Sequence, residues 1–291
     1  REPLPIAFPK SAIDDPDAPV RLARLLASPT YRLAEQDPAF LARDELRGAR
    51  LALEYAKAEM TLEENAVAST IVLFGSTRLA EPAAARRVLA DCEAAARALP
   101  DDPEAARRLA TARRLVALSG YYDVAREFAR LVSSDCARAE SCDYVIMTGG
   151  GPGIMEAGNR GAYEAGRHSI GLNITLPGEQ FPNPYITPEL CLQFHYFGLR
   201  KLHFLKRARA LVAFPGGYGT LDELTDALCL VQTRKIRPIP IVLVGEAFWR
   251  RVLDIQFLVD EGMIAPEDAE IVQYAETAEA IWRIIRDWNH D

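Results

Sequence analysis

No stretch of this 291-residue chain is apolar for long enough to span a bilayer as a helix, and its first ten residues, REPLPIAFPK, lack the apolar segment of a signal peptide. No membrane partner is therefore expected. The cysteines, at 92, 136, 142, 191 and 229, are odd in number and show no C-x-x-C spacing, which indicates neither a disulfide framework nor a zinc site and points to a reducing, cytoplasmic setting. The histidines form no H-x-x-x-H, H-x-H or H-E-x-x-H pattern, so no metal is expected. There is no G-x-S-x-G elbow and no Gly-Lys-Ser/Thr after a glycine run, which removes two common nucleophile and nucleotide motifs. Basic residues are outnumbered 34 to 41, a net charge of −7, too acidic for a broad nucleic-acid-binding field.

What is present suits a large α/β domain with an appendage. Hydrophobic residues make up 49% of the chain, enough for a sizeable core. Residues 1–19 hold five prolines and read as an extended arm, and 20–65 have helical composition. From 66 onward, apolar runs alternate with helical stretches. STIVLF opens as a buried strand, and further strands are expected at 144–148, 169–174, 210–214 and 239–244. Helices are expected between them, two of them within 101–140, another over 247–261, and a short apolar piece lies at 271–274. The pattern predicts a parallel sheet covered by helices on both faces, with ligands bound beyond the strands' C-terminal ends. The domains are read as 1–65 and 66–291.

Two glycine-rich turns follow strands. TGGGPGIMEAGNRGA (148–162) misses the dinucleotide G-x-G-x-x-G spacing, because Ile154 stands where the third glycine belongs, and the next strand, GLNITLP, supplies no acid for a ribose diol. LVAFPGGYGTLDE (211–223) passes from a strand through Gly216, Gly217 and Gly219 into a helix. Such turns bring backbone N–H groups and a helix N-terminus to an anion. Both could equally be structural: glycines required by packing in the first, and a Thr220–Glu223 capping box in the second. HYFGLRKLHFLKR (195–207) places Arg200 and Lys201 at the start of a helix, where cations oppose the dipole and an anionic ligand or Glu223 could hold them. His195 and His203 read as core or surface residues.

At these residues the chain resembles the LOG (LONELY GUY) family, long labelled lysine decarboxylases. The resemblance covers roughly 70–260 and rests on GGGPGIMEAGNRGA, on LRK at 199–201 and on FPGGYGTLDE, which fits the family's PGGxGTxxE. It implies a Rossmann-like doubly wound fold, a homodimer or larger assembly, no cofactor, and hydrolysis of a nucleoside 5′-monophosphate (AMP or a cytokinin riboside monophosphate) to base and ribose 5-phosphate. It puts the catalytic pair at Arg200 and Glu223, with the phosphate at Gly216, Gly217, Gly219 and Thr220 and at Gly150, Gly151 and Gly153. Short family members often read GGGxxGLMG; Glu156 departs from this, and they lack both the N-terminal extension and the 101–140 insertion.

For that chemistry a carboxylate near C1′ would stabilise an oxocarbenium-like transition state and take a proton from water. Glu223 is expected in this role, kept ionised by the helix start and Arg200. Lys201 and Asp226 are further expected partners of phosphate or ribose, and Phe181, Tyr185, Tyr196 and Phe197 are candidates to stack on the base. A nucleotide sensor on the same fold is the alternative. Decarboxylation would need pyridoxal phosphate on a lysine, with Lys201 the nearest candidate.

Overall fold

The computed structural model describes residues 9–138, 143–177 and 181–290. Cys142, the first eight residues of the arm and part of the proline-rich loop lie outside the described residues. The chain divides into compact units at Arg1–Leu53 and Glu54–Asp291. Within the first, α1 (Ala18–Ala27) and α2 (Pro38–Leu41) bury no residue. Asp37 accepts from the Phe40 N–H to start α2, and Arg50 donates to the carbonyls of Leu41 and Arg43, each at 2.6 Å.

The helix α3 (Arg47–Glu64) runs on into the second unit. The expected boundary at 65/66 is therefore too late. Ala58, Glu59 and Leu62 are buried with the sheet core, so the end of this helix belongs to the larger unit.

Seven parallel strands form one sheet: β1 (Ser69–Phe74), β2 (Tyr144–Thr148), β3 (Ser169–Ile174), β4 (Cys191–Phe194), β5 (Ala208–Ala213), β6 (Ile241–Val244) and β7 (Val272–Ala275). Their order is β4-β3-β2-β1-β5-β6-β7. The remaining helices are α4 (Pro82–Ala98), α5 (Pro103–Leu118), α6 (Gly120–Arg138), α7 (Ile154–Glu164), α8 (Phe197–Lys206), α9 (Tyr218–Gln232), α10 (Glu246–Val252), α11 (Ile255–Asp260) and α12 (Ala278–His290). This is the expected Rossmann-like α/β architecture, with a helical segment at the N-terminus.

All six residues of β1 are buried. Alternation along the strand sends Ile71 and Leu73 to one face, packed with α6, α7 and α12. Val72 and Phe74 go to the other, packed with α3, α8, α9 and Trp249 of α10. A strand covered on both faces reads as a continuous apolar run rather than an alternation, as Ile71 to Phe74 does after buried Ser69 and Thr70.

The chain lays β1 to β4 outward in one direction and then returns to place β5 on the other side of β1. Loops leaving β1 and β5 diverge at this reversal and open a crevice above their C-terminal ends. The Ser76 N–H donates to the Pro215 carbonyl at 3.0 Å and ties the two loops together at its base.

Three local expectations change. The 247–261 helix is two, because Asp254 caps a new start by accepting from the Phe257 N–H at 3.0 Å. The 271–274 piece is the edge strand β7. Cys136 is disulfide-bonded, whereas Cys92, Cys191 and Cys229 are free thiols.

Candidate active site

A cavity of about 660 Å³ occupies the crevice between the β1 and β5 loops. This lies within the size range of small-molecule sites. From the β5 side come Pro215 to Thr220, and Glu223 lies one turn further into α9. From the β1 side come Gly75, Ser76, Thr77 and Arg78. Helix α8 contributes Phe197, Arg200 and Phe204.

The glycine segment after β5 feeds straight into α9, whose N-terminus has no side-chain cap. Its first turn begins at Tyr218, three residues earlier than a capping box at Thr220 would require, so the expected Thr220–Glu223 box does not form. The Thr220 N–H instead donates to the Gly217 carbonyl at 3.0 Å. The leading N–H groups of a helix have no intrahelical acceptor, and the residues of this first turn line the cavity at the positive end of the dipole. Gly216 is required by space: a Cβ there would collide with the Thr220 side chain.

Glu223 and Arg200 meet in the wall of this cavity. Their side chains are 6% and 13% exposed, and Arg200 Nη2 lies 3.5 Å from Glu223 Oε1. That distance is at the limit of a hydrogen bond, so the carboxylate remains free to engage a ligand. Arg200 Nε is buried with no hydrogen-bond partner among the described residues. The guanidinium is flanked by Phe197 and Phe204, at 5.0 and 5.5 Å from their ring centroids, which fixes its plane.

Burial pushes the Glu223 carboxyl up to about 7, against the charges of Lys201 and Arg200, which pull it down. This corrects the expectation that the helix start and Arg200 keep it ionised. Glu223 is the sixth residue of α9. The dipole acts mainly within the first turn, and the loose contact with Arg200 recovers too little of the desolvation cost. Burial likewise lowers Arg200 from its usual value, with Glu223 and Asp222 opposing.

Other expected site residues lie elsewhere. Gly150, Gly151 and Gly153 do not line the cavity; from the β2 turn only Gly149 and Met155 do. The Gly150 N–H donates to Thr148 Oγ1 at 3.0 Å. The carbonyls of Gly150 and Gly151 accept from Asn183 Nδ2 at 3.2 and 3.1 Å. Asn159 joins this buried network through Thr148 and Asn183. Gly153, at φ 72°, packs so closely on the β1 loop that a Cβ would strike the Ser76 carbonyl. The first glycine turn is thus a latch that supports the β1 loop.

Lys201 pairs with Asp222 at 2.7 Å, and it lines a separate concavity together with Asp226. Burial would lower its ammonium, but the bond to Asp222 and the charges of Glu223, Asp222 and Asp226 raise it. It is no candidate for an imine-forming amine, and among the described residues no lysine lines the main cavity. Of the four aromatic candidates only Phe197 does. Tyr185 sits against Arg160, Tyr196 against His195, and Phe181 is exposed.

The rest of the basic 195–207 segment turns away from the site. Lys206 and Arg207 pair with Glu59 at 2.5 and 2.9 Å, and fully buried His203 lies 2.9 Å from the same carboxylate. The sequence reading missed the β1 loop. Its signal was present in GSTR at 75–78, a glycine and two hydroxyls directly after a fully buried strand.

Residues 155–285 match the family model described as "Possible lysine decarboxylase". The cytokinin riboside 5′-monophosphate phosphoribohydrolase LOG3 of Arabidopsis thaliana is 28% identical over 148 residues, 50% of this chain and 67% of that protein. The enzyme of that name, LOG, from Oryza sativa subsp. japonica is 31% identical over 138 residues, 46% of this chain and 55% of that protein. The chain thus spans about two thirds or less of the length of these relatives. The solved X-ray structure of the protein TM1055 is 22% identical, with a TM-score of 0.47, over 75% of this chain and 99% of that one. The family match runs from α7 to α12, and over that part the chain is similar to the LOG proteins of the two plants.

Proposed function

We propose that the protein hydrolyses the N-glycosidic bond of a nucleoside 5′-monophosphate, either AMP or a cytokinin riboside monophosphate, to a free base and ribose 5-phosphate. The observation that carries this reading is the buried Glu223–Arg200 pair, set one helical turn beyond an uncapped helix N-terminus in a single cavity. The 5′-phosphate accepts from the α9 N–H groups and from Thr220, assisted by Ser76 and Thr77 on the opposite loop. Anchoring this remote group holds C1′ beside Glu223, so that binding energy is spent on position.

As the bond to the base breaks, its electron pair leaves with the base nitrogen, and positive charge grows on C1′ and O4′. The Glu223 carboxylate stabilises that charge and removes a proton from the water that attacks C1′. Arg200, with its free Nε, orients the carboxylate and binds a ribose hydroxyl. No described lysine stands in the cavity to carry pyridoxal phosphate, which weighs against decarboxylation.

The test is incubation with AMP and with an N6-substituted AMP, following base release by chromatography. Release by the parent and its loss in Glu223→Gln, with nucleotide binding retained, support the reading. Unchanged turnover by that variant refutes it.

A further inference from the structure

The crossover from β1 to β2 needs one helix to return the chain, yet it holds three: α4, α5 and α6. Helix α6 is anchored over the sheet. Tyr122, Phe128 and Val132 are buried in the core, Tyr122 Oη lies 2.8 Å from Glu156 on α7, and Arg126 forms a two-point pair with Glu164 at 2.7 and 2.6 Å. The joint to α5 is equally defined. Ser119 is buried, its hydroxyl donates to the Val116 carbonyl at 2.8 Å, and the Tyr122 N–H donates to the Ser119 carbonyl at 3.0 Å. The last turn of α5 is thereby held in place.

Little of α5 is buried: only Ala105 and Ala112. Its two leucines near the C-terminus, Leu115 and Leu118, are three apart and share a face. Both are half-buried, and both line the cavity that holds Glu223 and Arg200. They have no polar atom with which to serve a phosphate or a ribose hydroxyl. The part of a nucleotide that gains from an apolar wall is the base.

We infer that Leu115 and Leu118 form the base-contacting wall of the site, making the α5–α6 hairpin a determinant of which base is accepted. This deepens the proposed function and rests on its placement of the nucleotide. The leucines act on specificity and take no part in bond cleavage.

The experiment is calorimetric binding to the non-hydrolysing Glu223→Gln background, with AMP, N6-benzyl-AMP and ribose 5-phosphate as ligands. Adding Leu115→Ala and Leu118→Ala is expected to change the affinity for at least one nucleotide by about ten-fold or more, the scale of pocket discrimination by a few carbons. The affinity for ribose 5-phosphate stays unchanged. The volume-conserving Leu115→Met, Leu118→Met pair keeps the parent pattern, and Leu118→Phe weakens N6-benzyl-AMP more than AMP. An equal loss for all three ligands, or no change for any, overturns the inference. Absence of base release by the parent, with this binding pattern intact, would instead refute the catalytic reading alone.

Discussion

Glu223→Gln should cost activity and at the same time abolish a pH-dependent loss of stability. The native carboxyl is raised from 4.5 to about 7, chiefly by burial. Between those values the folded state holds a proton that the unfolded state has released, so stability falls as pH rises. For a native value near 7 and an unfolded value near 4.5, this group removes roughly 2–3 kcal/mol of stability between pH 5 and pH 8. Glutamine has the same shape and does not titrate. The attraction of Arg200 for the ionised carboxylate is already contained in the value near 7, so the difference between the two pH values reads the titration of Glu223 itself. The assay is urea unfolding of parent and variant at pH 5 and pH 8, followed by far-ultraviolet circular dichroism. The parent should lose roughly 2–3 kcal/mol more than the variant over this range. An identical pH response in the two proteins would show that Glu223 is not desolvated as described, and the account of its role would fail with it.

Other outcomes follow from the same interactions. If Glu223 acts as a base, kcat/KM rises with pH along a limb centred near 7, and a limb near 4.5 would contradict its burial. Lys201→Met removes a cation that lowers the Glu223 carboxyl and should move that limb to higher pH, with little effect on nucleotide affinity because Lys201 lies outside the main cavity. Asn183→Ala breaks the bonds to Gly150, Gly151 and Asn159 and should destabilise the protein by about 2–4 kcal/mol in thermal unfolding, as expected when buried partners are left unsatisfied. Burial alone would raise Glu59, but Arg207 and Lys206 hold it at about 2. Its stabilisation is complete above pH 4.5 and is lost as pH falls toward 2, so Glu59→Gln should flatten the acid limb of the stability profile.

The parallel sheet was legible because strands buried on both faces carry apolar runs; Ile71 to Phe74 needs no neighbour to be recognised. Gly216, Gly217, Gly219, Thr220, Glu223 and Arg200 stand out by type and spacing, and the structure brings all six to one cavity. Gly150, Gly151 and Gly153 stand out equally well, yet the Gly150 N–H is bound to Thr148, the carbonyls of Gly150 and Gly151 to Asn183, and Gly153 packs against the β1 loop. A glycine run looks the same whether its amides meet a ligand or an asparagine. Leu115 and Leu118 give the reverse case: in sequence they are ordinary helix leucines, and only the fold sets them in the cavity wall.

The sequence by itself determined five of the seven strands, most of the helices and the residue types for anion and carboxylate chemistry, since these rest on local periodicity and turn geometry. The order of the strands, and with it which two loops flank the crevice, was decided by tertiary structure. So was the state of Glu223, because desolvation depends on everything packed around a side chain, and the neighbours that bury it are distant in the chain.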